Sequence, residues 1–514
     1  MCQALACGAL LAIAAVPARP QGEASSAAGK TGGQAFRLEA DGVTFEEPCA
    51  PAPGANAYTA CGALAREAAD VVRRLTPILG ACPRKRIEIV VKAPHPEDHG
   101  PLVTGFSPFG IGIPEGVARA ADDPRFFAAV MPFEVARQWF PSAEADAALK
   151  NPGMVEVLSQ YLAWRYLLEA NPEAARAMVA EAMRDSVAQW RTAALAEVIE
   201  SFPSPGGAPR AALDQRGLLV LRTLETVIDR ERVDRVIPLF IRRFGGHSSR
   251  VADFQGVCEE VAGRKLGWFF HYFFEGTRVP EIELKRLPAE SPDVAAGEIV
   301  VKGLPEEGSV RVEMTVRTAQ GLVQPSVATR GEVTPFTVNV PAPAMGITLD
   351  PDLRILRWTP AAERWKEQQA ILEALPEAVT RENLPATIEI YRRALAADAE
   401  NASLGAQSLH ERLGELEYAQ GNSRGALADL EAAINGHSIG EYETYLRRAK
   451  AYLYHGEVEL HEGRPREAQA DVQAAMELPR VVLAQSVPER PIESRGEKTL
   501  RQLLEILSHA ATHY

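Results

Sequence analysis

Residues Met131–Pro141 read MPFEVARQWFP, and positions 133 and 137 in that stretch lie one helical turn apart, with Glu134 beside the first of them. A zinc hydrolase helix uses this spacing. Imidazoles at i and i+4 point at one ion, and a carboxylate next to the first activates the metal-bound water. Here Phe133 and Arg137 stand where the two histidines would be, and Glu134 stands at the general-base position. The stretch has the layout of a metal-binding helix with both imidazoles replaced.

Other residues agree with that layout in order and spacing. Arg137 runs on into Gln138, Trp139 and Phe140; Glu156 comes 19 positions after Arg137, and Tyr161 five positions after Glu156. Asp214, Gln215, Arg216 and Gly217 open an apolar helix (DQRGLLVLRTLE), and RKLGWFFHYFFEG (Arg264–Gly276) precedes a run of alternating residues closing on LDPD (Leu349–Asp352). With these residues, Gly62 to Trp358 resembles the aminopeptidase N family of gluzincin metallopeptidases. The resemblance implies a thermolysin-like, mostly helical catalytic-type domain followed by a small β-sandwich. It also implies zinc ligands at positions 133, 137 and 156, a general base at 134, and at 214 a tyrosine that stabilises the tetrahedral intermediate.

The departures from the family bear on function. Only Glu156 of the three ligands remains, whereas a catalytic zinc normally takes three protein ligands. A carboxylate at Asp214 would repel a developing oxyanion. The family's amine-binding Gly-x-Met-Glu-Asn strand is replaced by VTGFSPFGIGIP (Val103–Pro114). No catalytic residue and no metal ligand is therefore expected: Glu134 and Asp214 are relic catalytic positions, and Phe133, Arg137 and Glu156 are relic metal positions. Without zinc, Glu134 and Glu156 would face each other, and Arg137 has the reach and the fork to bridge them. The bland alternative is an ordinary i,i+3 surface pair of Glu134 and Arg137. The alternative reading of function is a divergent zinc aminopeptidase whose metal site is rebuilt from His95, His99 or His247.

The 514 residues carry 68 acidic and 55 basic side chains, a formal charge of -13, without a Lys/Arg run of the kind that neutralises phosphates, which excludes nucleic acid as a partner. The opening MCQALACGALLAIAAVPARP reads as a signal peptide over residues 1–18, too short to span a bilayer, and places the chain in the periplasm or outside the cell. Cys49 and Cys61 flank a Pro/Gly-rich loop, which makes a local disulfide plausible; Cys82 and Cys258 read as partners of a disulfide or as buried thiols. A linker over residues 19–35 leads to an aminopeptidase-like domain at 36–279, a β-sandwich domain at 280–358 and helices at 359–514. In the last of these, Gly414, Gly421, Ala426, Leu430 and Ala433 keep the offsets of a tetratricopeptide helix pair. Gly456, Gly463, Ala468, Val472 and Ala475 repeat them 42 residues later, and Ala386, Ile390 and Ala394 mark a partial unit before them.

The expected fold class is thus multidomain α+β. The expected function is that of an exported pseudopeptidase that binds peptide or protein, holds no cofactor and has no transmembrane segment. Its relic cleft would be lined by Phe133, Glu134, Arg137, Glu156, Tyr161 and Asp214, with the helical repeats as a second surface.

Overall fold

The computed structural model describes residues 35–48, 62–92, 105–107, 110–114, 129–140, 153–189, 193–202, 212–244, 249–288, 291–397, 404–436 and 441–477. The expected signal peptide, most of the linker, Cys49 and Cys61 lie outside them. FRLEADGVTFEE folds as a hairpin: β1 (Ala35–Ala40) pairs antiparallel with β2 (Val43–Pro48). Asp41 and Gly42 between them both have positive φ, 51° and 75°, which matches the twist of a two-residue hairpin turn. β2 then runs parallel to β3 (Arg86–Lys92) and β3 parallel to β5 (Gly110–Pro114), with the short antiparallel β4 (Gly105–Ser107) at the edge. Helix α1 (Ala63–Leu79) lies against this sheet with Leu64, Ala68, Val71, Val72 and Leu75 buried, and its first turn is held by Ala65 N–H donating to Glu47 Oε2 at 2.9 Å.

The helices that follow share one core with α1 and the sheet. They are α2 (Val130–Ala136), α3 (Gly153–Ala170), α4 (Pro172–Gln189), α5 (Leu195–Ser201), α6 (Gly217–Ile228), α7 (Arg230–Phe244), α8 (Val251–Ala262) and the aromatic α9 (Gly267–Phe270). Phe254, Phe269, Phe270, Phe273 and Phe274 are fully buried, the last four from the RKLGWFFHYFFEG phrase. Cys82 and Cys258 are free, buried thiols.

After Pro280 the chain forms two antiparallel sheets. One has the order β11 (Val333–Asn339), β7 (Val294–Lys302), β6 (Glu281–Arg286). In the other, β8 (Arg311–Thr318) lies between β10 (Ser326–Ala328) and β12 (Ala344–Leu349), and β9 (Gly321–Val323) also pairs with β8. Ile299, Val301 and Phe336 from the first sheet meet Val312 and Met314 from the second in one buried cluster, as the alternation of apolar residues requires.

The remaining helices among the described residues are α10 (Pro360–Leu372), α11 (Leu384–Ala397), α12 (Leu404–Gln420), α13 (Ser423–Asn435), α14 (Glu441–His461) and α15 (Pro465–Glu477). They pack as successive pairs. Gln368 of α10 donates to Ala394 O of α11 at 2.9 Å, and Gln407 of α12 donates to Ala433 O of α13 at the same distance, so both pairs use one fastening. The expected partial unit around Ala394 is therefore a two-helix unit whose first helix is α10. Small residues sit where the partners touch: a methyl group on Gly414 would lie 2.6 Å from Leu430 Cγ, and one on Gly456 would lie 3.3 Å from Ala468 O. No helix among the described residues is long and apolar enough to cross a membrane.

Two outcomes follow for the helix pairs. Gly414→Ala is expected to destabilise the protein by about 1–3 kcal/mol, because overpacking outweighs the gain in helix propensity, whereas Gly456→Ala should be near neutral. The midpoint of urea unfolding by circular dichroism measures both. Burial pushes the carboxyl of Glu457 in α14 from its ordinary 4.5 up to about 7. Between those pH values the folded chain keeps a proton that the unfolded chain has released, so stability falls as pH rises from about 4.5 to about 7. Glu457→Gln should flatten that slope and stabilise the protein at pH 8 by roughly 1–3 kcal/mol. Thermal melts from pH 5 to 8 test it.

Candidate functional site

Helix α2 is short and enclosed: Met131 through Ala136 are all buried, as are Gln138 and Trp139 in the 3-10 turn that extends it (Arg137–Trp139). Arg137 N–H donates to Phe133 O, so the two side chains leave the helix one turn apart. Trp139 Nε1 donates to Gly80 O at 3.0 Å and pins the far end of the turn to the loop after α1. Glu156 is set by the packing of α3. At its first residue, a Cβ on Gly153 would come within 2.5 Å of Ile199 O, so α3 starts directly against the backbone of α5. A Cβ on Gly217 would lie 2.6 Å from Val157 Cγ2, so α6 crosses α3 one residue beyond Glu156. Both glycines are required by close approach, and together they hold Glu156 facing α2.

Phe133, Arg137 and Glu156 meet. Arg137 Nη2 lies 3.2 Å from Glu156 Oε1, and Arg137 Nη1 lies 3.6 Å from Glu134 Oε2. The guanidinium carbon is 5.6 Å from the centre of the Phe133 ring. The side chains of Glu134 and Glu156 are 1% and 3% exposed and that of Arg137 is 15% exposed, which excludes a solvated surface pair. In such surroundings each charge pair is attractive by on the order of 4 kcal/mol, while desolvation costs several kcal/mol per ion. The arrangement is therefore near balance as a trio and strongly unfavourable if one member is removed.

A zinc ion does not fit these residues. A phenyl ring and a guanidinium occupy two of the three ligand positions, and the guanidinium already holds the carboxylate at the third. A second cation there would meet a permanently charged neighbour. Among the described residues, no group of three His, Cys, Asp or Glu side chains is placed to hold a metal ion. Of the histidines weighed as replacements, His95, His99 and His247 lie outside the described residues. His271 is exposed with Nδ1 2.9 Å from Glu275, and His461 packs edge-on to Tyr418 at the end of α14.

Tyr161 is placed differently from a cleft residue. It is wholly buried, and its hydroxyl donates to Glu225 Oε1 at 2.6 Å while accepting from Arg165 Nη1 at 3.2 Å. Burial, then the Glu225 carboxylate, push its phenol well above the ordinary value. Tyr161 is thus a structural hydrogen-bond donor between α3 and α6, because the turn that carries it points into the core. The backbone of Asp214 lies in the turn Ala212–Arg216 ahead of α6; its side chain is outside the described residues. Phe133, Glu134 and Glu156 are likewise buried, so Arg137 is the member of the trio with the greatest contact with solvent.

Sequence reasoning missed the residues that fasten this site to the strands. Glu225 also receives Arg230 at 3.2 Å and Arg354 at 3.1 Å. Arg222 donates to the carbonyls of Asp352 and Leu353, each at 2.7 Å, and lies 4.5 Å over the ring of Trp164. The signal was present: in GLLVLRTLETVI an arginine and a glutamate three residues apart interrupt an otherwise apolar helix, the mark of a buried polar network.

No protein-family model and no curated protein matches the chain. Among solved structures, the chain is similar to aminopeptidase A of Legionella pneumophila, crystallised in complex with aspartic acid. The match has 10% identity and a TM-score of 0.48, and covers 93% of this chain and 62% of that one. The chain thus spans 62% of the length of that neighbour.

Removing the guanidinium leaves two buried carboxylates in mutual repulsion. Arg137→Met is expected to destabilise the protein by about 3–5 kcal/mol at pH 7.5. The deficit should shrink on acidification, because protonating one carboxylate relieves the repulsion. Chemical unfolding at pH 7.5 and pH 5 measures both effects; the triple variant Glu134→Gln/Arg137→Met/Glu156→Gln should regain much of the loss.

Proposed function

We propose that the protein is an exported relative of the gluzincin aminopeptidases that no longer catalyses and works by binding a peptide or protein segment. The observation that carries this reading is the guanidinium of Arg137 set between Glu134 and Glu156, 3.6 and 3.2 Å from them, in the space a zinc ion would need. The carboxylate and helix positions of a zinc site are retained and the imidazoles are not, so Arg137 offsets part of the carboxylate charge, and the ligand set for a Lewis acid that would polarise a carbonyl or activate water is incomplete. An amide bond brought to this site meets no activated nucleophile. The remaining use of such a framework is recognition, by the surface around Arg137 and by the faces of the helix pairs from α10 to α15. The apolar leader at residues 1–18 supports export to the periplasm or beyond.

Metal analysis of purified protein and a fluorogenic aminopeptidase assay with and without chelator test the catalytic half of the proposal. No stoichiometric zinc and no chelator-sensitive cleavage are expected. Stoichiometric zinc together with cleavage abolished by chelator would overturn it in favour of a rebuilt zinc site. A gain-of-function variant is the sharper probe: Phe133→His/Arg137→His rebuilds two imidazoles beside Glu156. It should bind zinc at least about a hundredfold more tightly than the natural chain, as read by competition with a chromophoric chelator.

A further inference from the structure

At the far end of α6 from Gly217, where that helix meets α7, the surface opens into a cavity of about 500 Å³. Five guanidinium groups line it: Arg230, Arg232 and Arg235 from α7, Arg311 from β8, and Arg354. Three carboxylates, Glu225, Asp229 and Glu231, face them, and Arg354 pairs with a fourth, Glu313, outside the lining. The pairing is uneven. Glu225 is shared by Arg230 and Arg354, at 3.2 and 3.1 Å, and Asp229 is shared by Arg232, at 2.7 Å, and Arg311. Among the described residues, Arg235 forms no ion pair. Each of these two carboxylates therefore serves two forks, and the cavity has many more N–H donors than acceptors.

The backbone points to the same place. Asp229, the single residue joining α6 to α7, has φ 72° and ψ 148°, a conformation that glycine adopts freely and an aspartate adopts at a cost of about 1–3 kcal/mol. The side chain that carries this strain is the one that orients Arg232 and Arg311. Glycine would relax the turn and release both guanidiniums.

We propose that this cavity binds a small phosphorylated ligand, its phosphate group seated among Arg232, Arg235 and Arg311. A phosphate monoester near neutral pH carries close to two negative charges and three strong acceptor oxygens, one for each of Arg232, Arg235 and Arg311, whose one ion-pair partner among the described residues is the shared Asp229. A single carboxylate offers the same three guanidiniums one charge and two acceptor oxygens. Arg232 and Arg311 are 42% and 48% exposed, so a ligand reaches them from solvent, and the volume exceeds that of phosphate alone, leaving room for a compact organic portion. This site stands apart from the Arg137 trio and does not depend on whether the protein retains peptidase chemistry.

Calorimetric titration of the full chain at low ionic strength, with inorganic phosphate in one arm and glycerol 3-phosphate in the other, tests the proposal. Saturable one-to-one binding in at least one arm is expected, weakened about tenfold or more by Arg235→Ala. Because Arg235 forms no ion pair among the described residues, that variant should melt at the wild-type temperature without ligand; Arg311→Ala, also weakened, is the second variant. Tighter binding of the ester identifies an organic phosphate, and equal or tighter binding of inorganic phosphate identifies the free ion. The absence of saturable binding in both arms, or binding that neither substitution weakens, overturns the assignment.

Discussion

Glu225 is the point on which the architecture turns. Its carboxylate is fully enclosed and receives the Tyr161 hydroxyl from α3, the Arg230 guanidinium at the start of α7, and Arg354 from the segment that leaves the strands. A buried carboxylate without such partners would be intolerable in a helix as apolar as α6, so burial of the charge and assembly of the elements occur together. Its neighbours act in the same place. Arg222 holds two carbonyls of the LDPDL turn, and Thr223 Oγ1 accepts from Leu356 N–H at 2.8 Å. Asp350 in turn accepts from Arg354 N–H at 2.7 Å and pairs with Arg357 at 3.1 Å. Three polar residues on one face of α6 thus fasten the exit of the strand region to the helical core, and through Tyr161 they hold the helix that carries Glu156.

Arg137 answers a second constraint of the same kind. Two carboxylates project into one buried space from α2 and α3 and need a cation between them. A metal ion would supply two charges and directional bonds at the cost of depending on metal supply. A guanidinium supplies one charge, is tethered to its own helix, and offers a planar fork that two carboxylates can share. Phe133, one turn earlier, covers the guanidinium and limits its contact with water. Phe133 and Arg137 thus act as one unit, an aromatic ring beside a tethered cation that both carboxylates share.

Several features were legible because they depend on local spacing. The i,i+4 relation of Phe133 and Arg137 followed from helical periodicity, whereas the expectation that Glu156 joins them came from the resemblance to the gluzincin aminopeptidases. The hairpin at Asp41 and Gly42 and the alternation in β7 and β8 could be read from residue types. In the helix pairs, Gly414 and Gly456 mark the contacts, and their 42-residue offset survives into the packing. Other features were not legible. Tyr161 has the spacing of a residue near the site, yet its direction depends on which flank of α3 meets α6, and the close approach at Gly217 settles that. The shared fastening of Gln368 and Gln407 joins residues 26 apart, and no local pattern distinguishes these glutamines from exposed ones.

By itself, the sequence determined which segments carry helical or strand periodicity, that residues 133 and 137 lie one helical turn apart beside Glu134, and that neither of them is a histidine. Those properties are set by period, by residue type and by the chemistry of donor atoms, all of which are local. Only the tertiary structure decided that the carboxylates of Glu134 and Glu156 are buried with Arg137 between them, that Tyr161 turns inward to Glu225, and that five arginines from α7, β8 and the LDPDL segment converge on one cavity. The physical reason is that Coulombic and hydrogen-bonding partners are chosen by proximity in space, and the residues that meet at Glu225 are separated by up to 193 positions in the chain, from Tyr161 to Arg354.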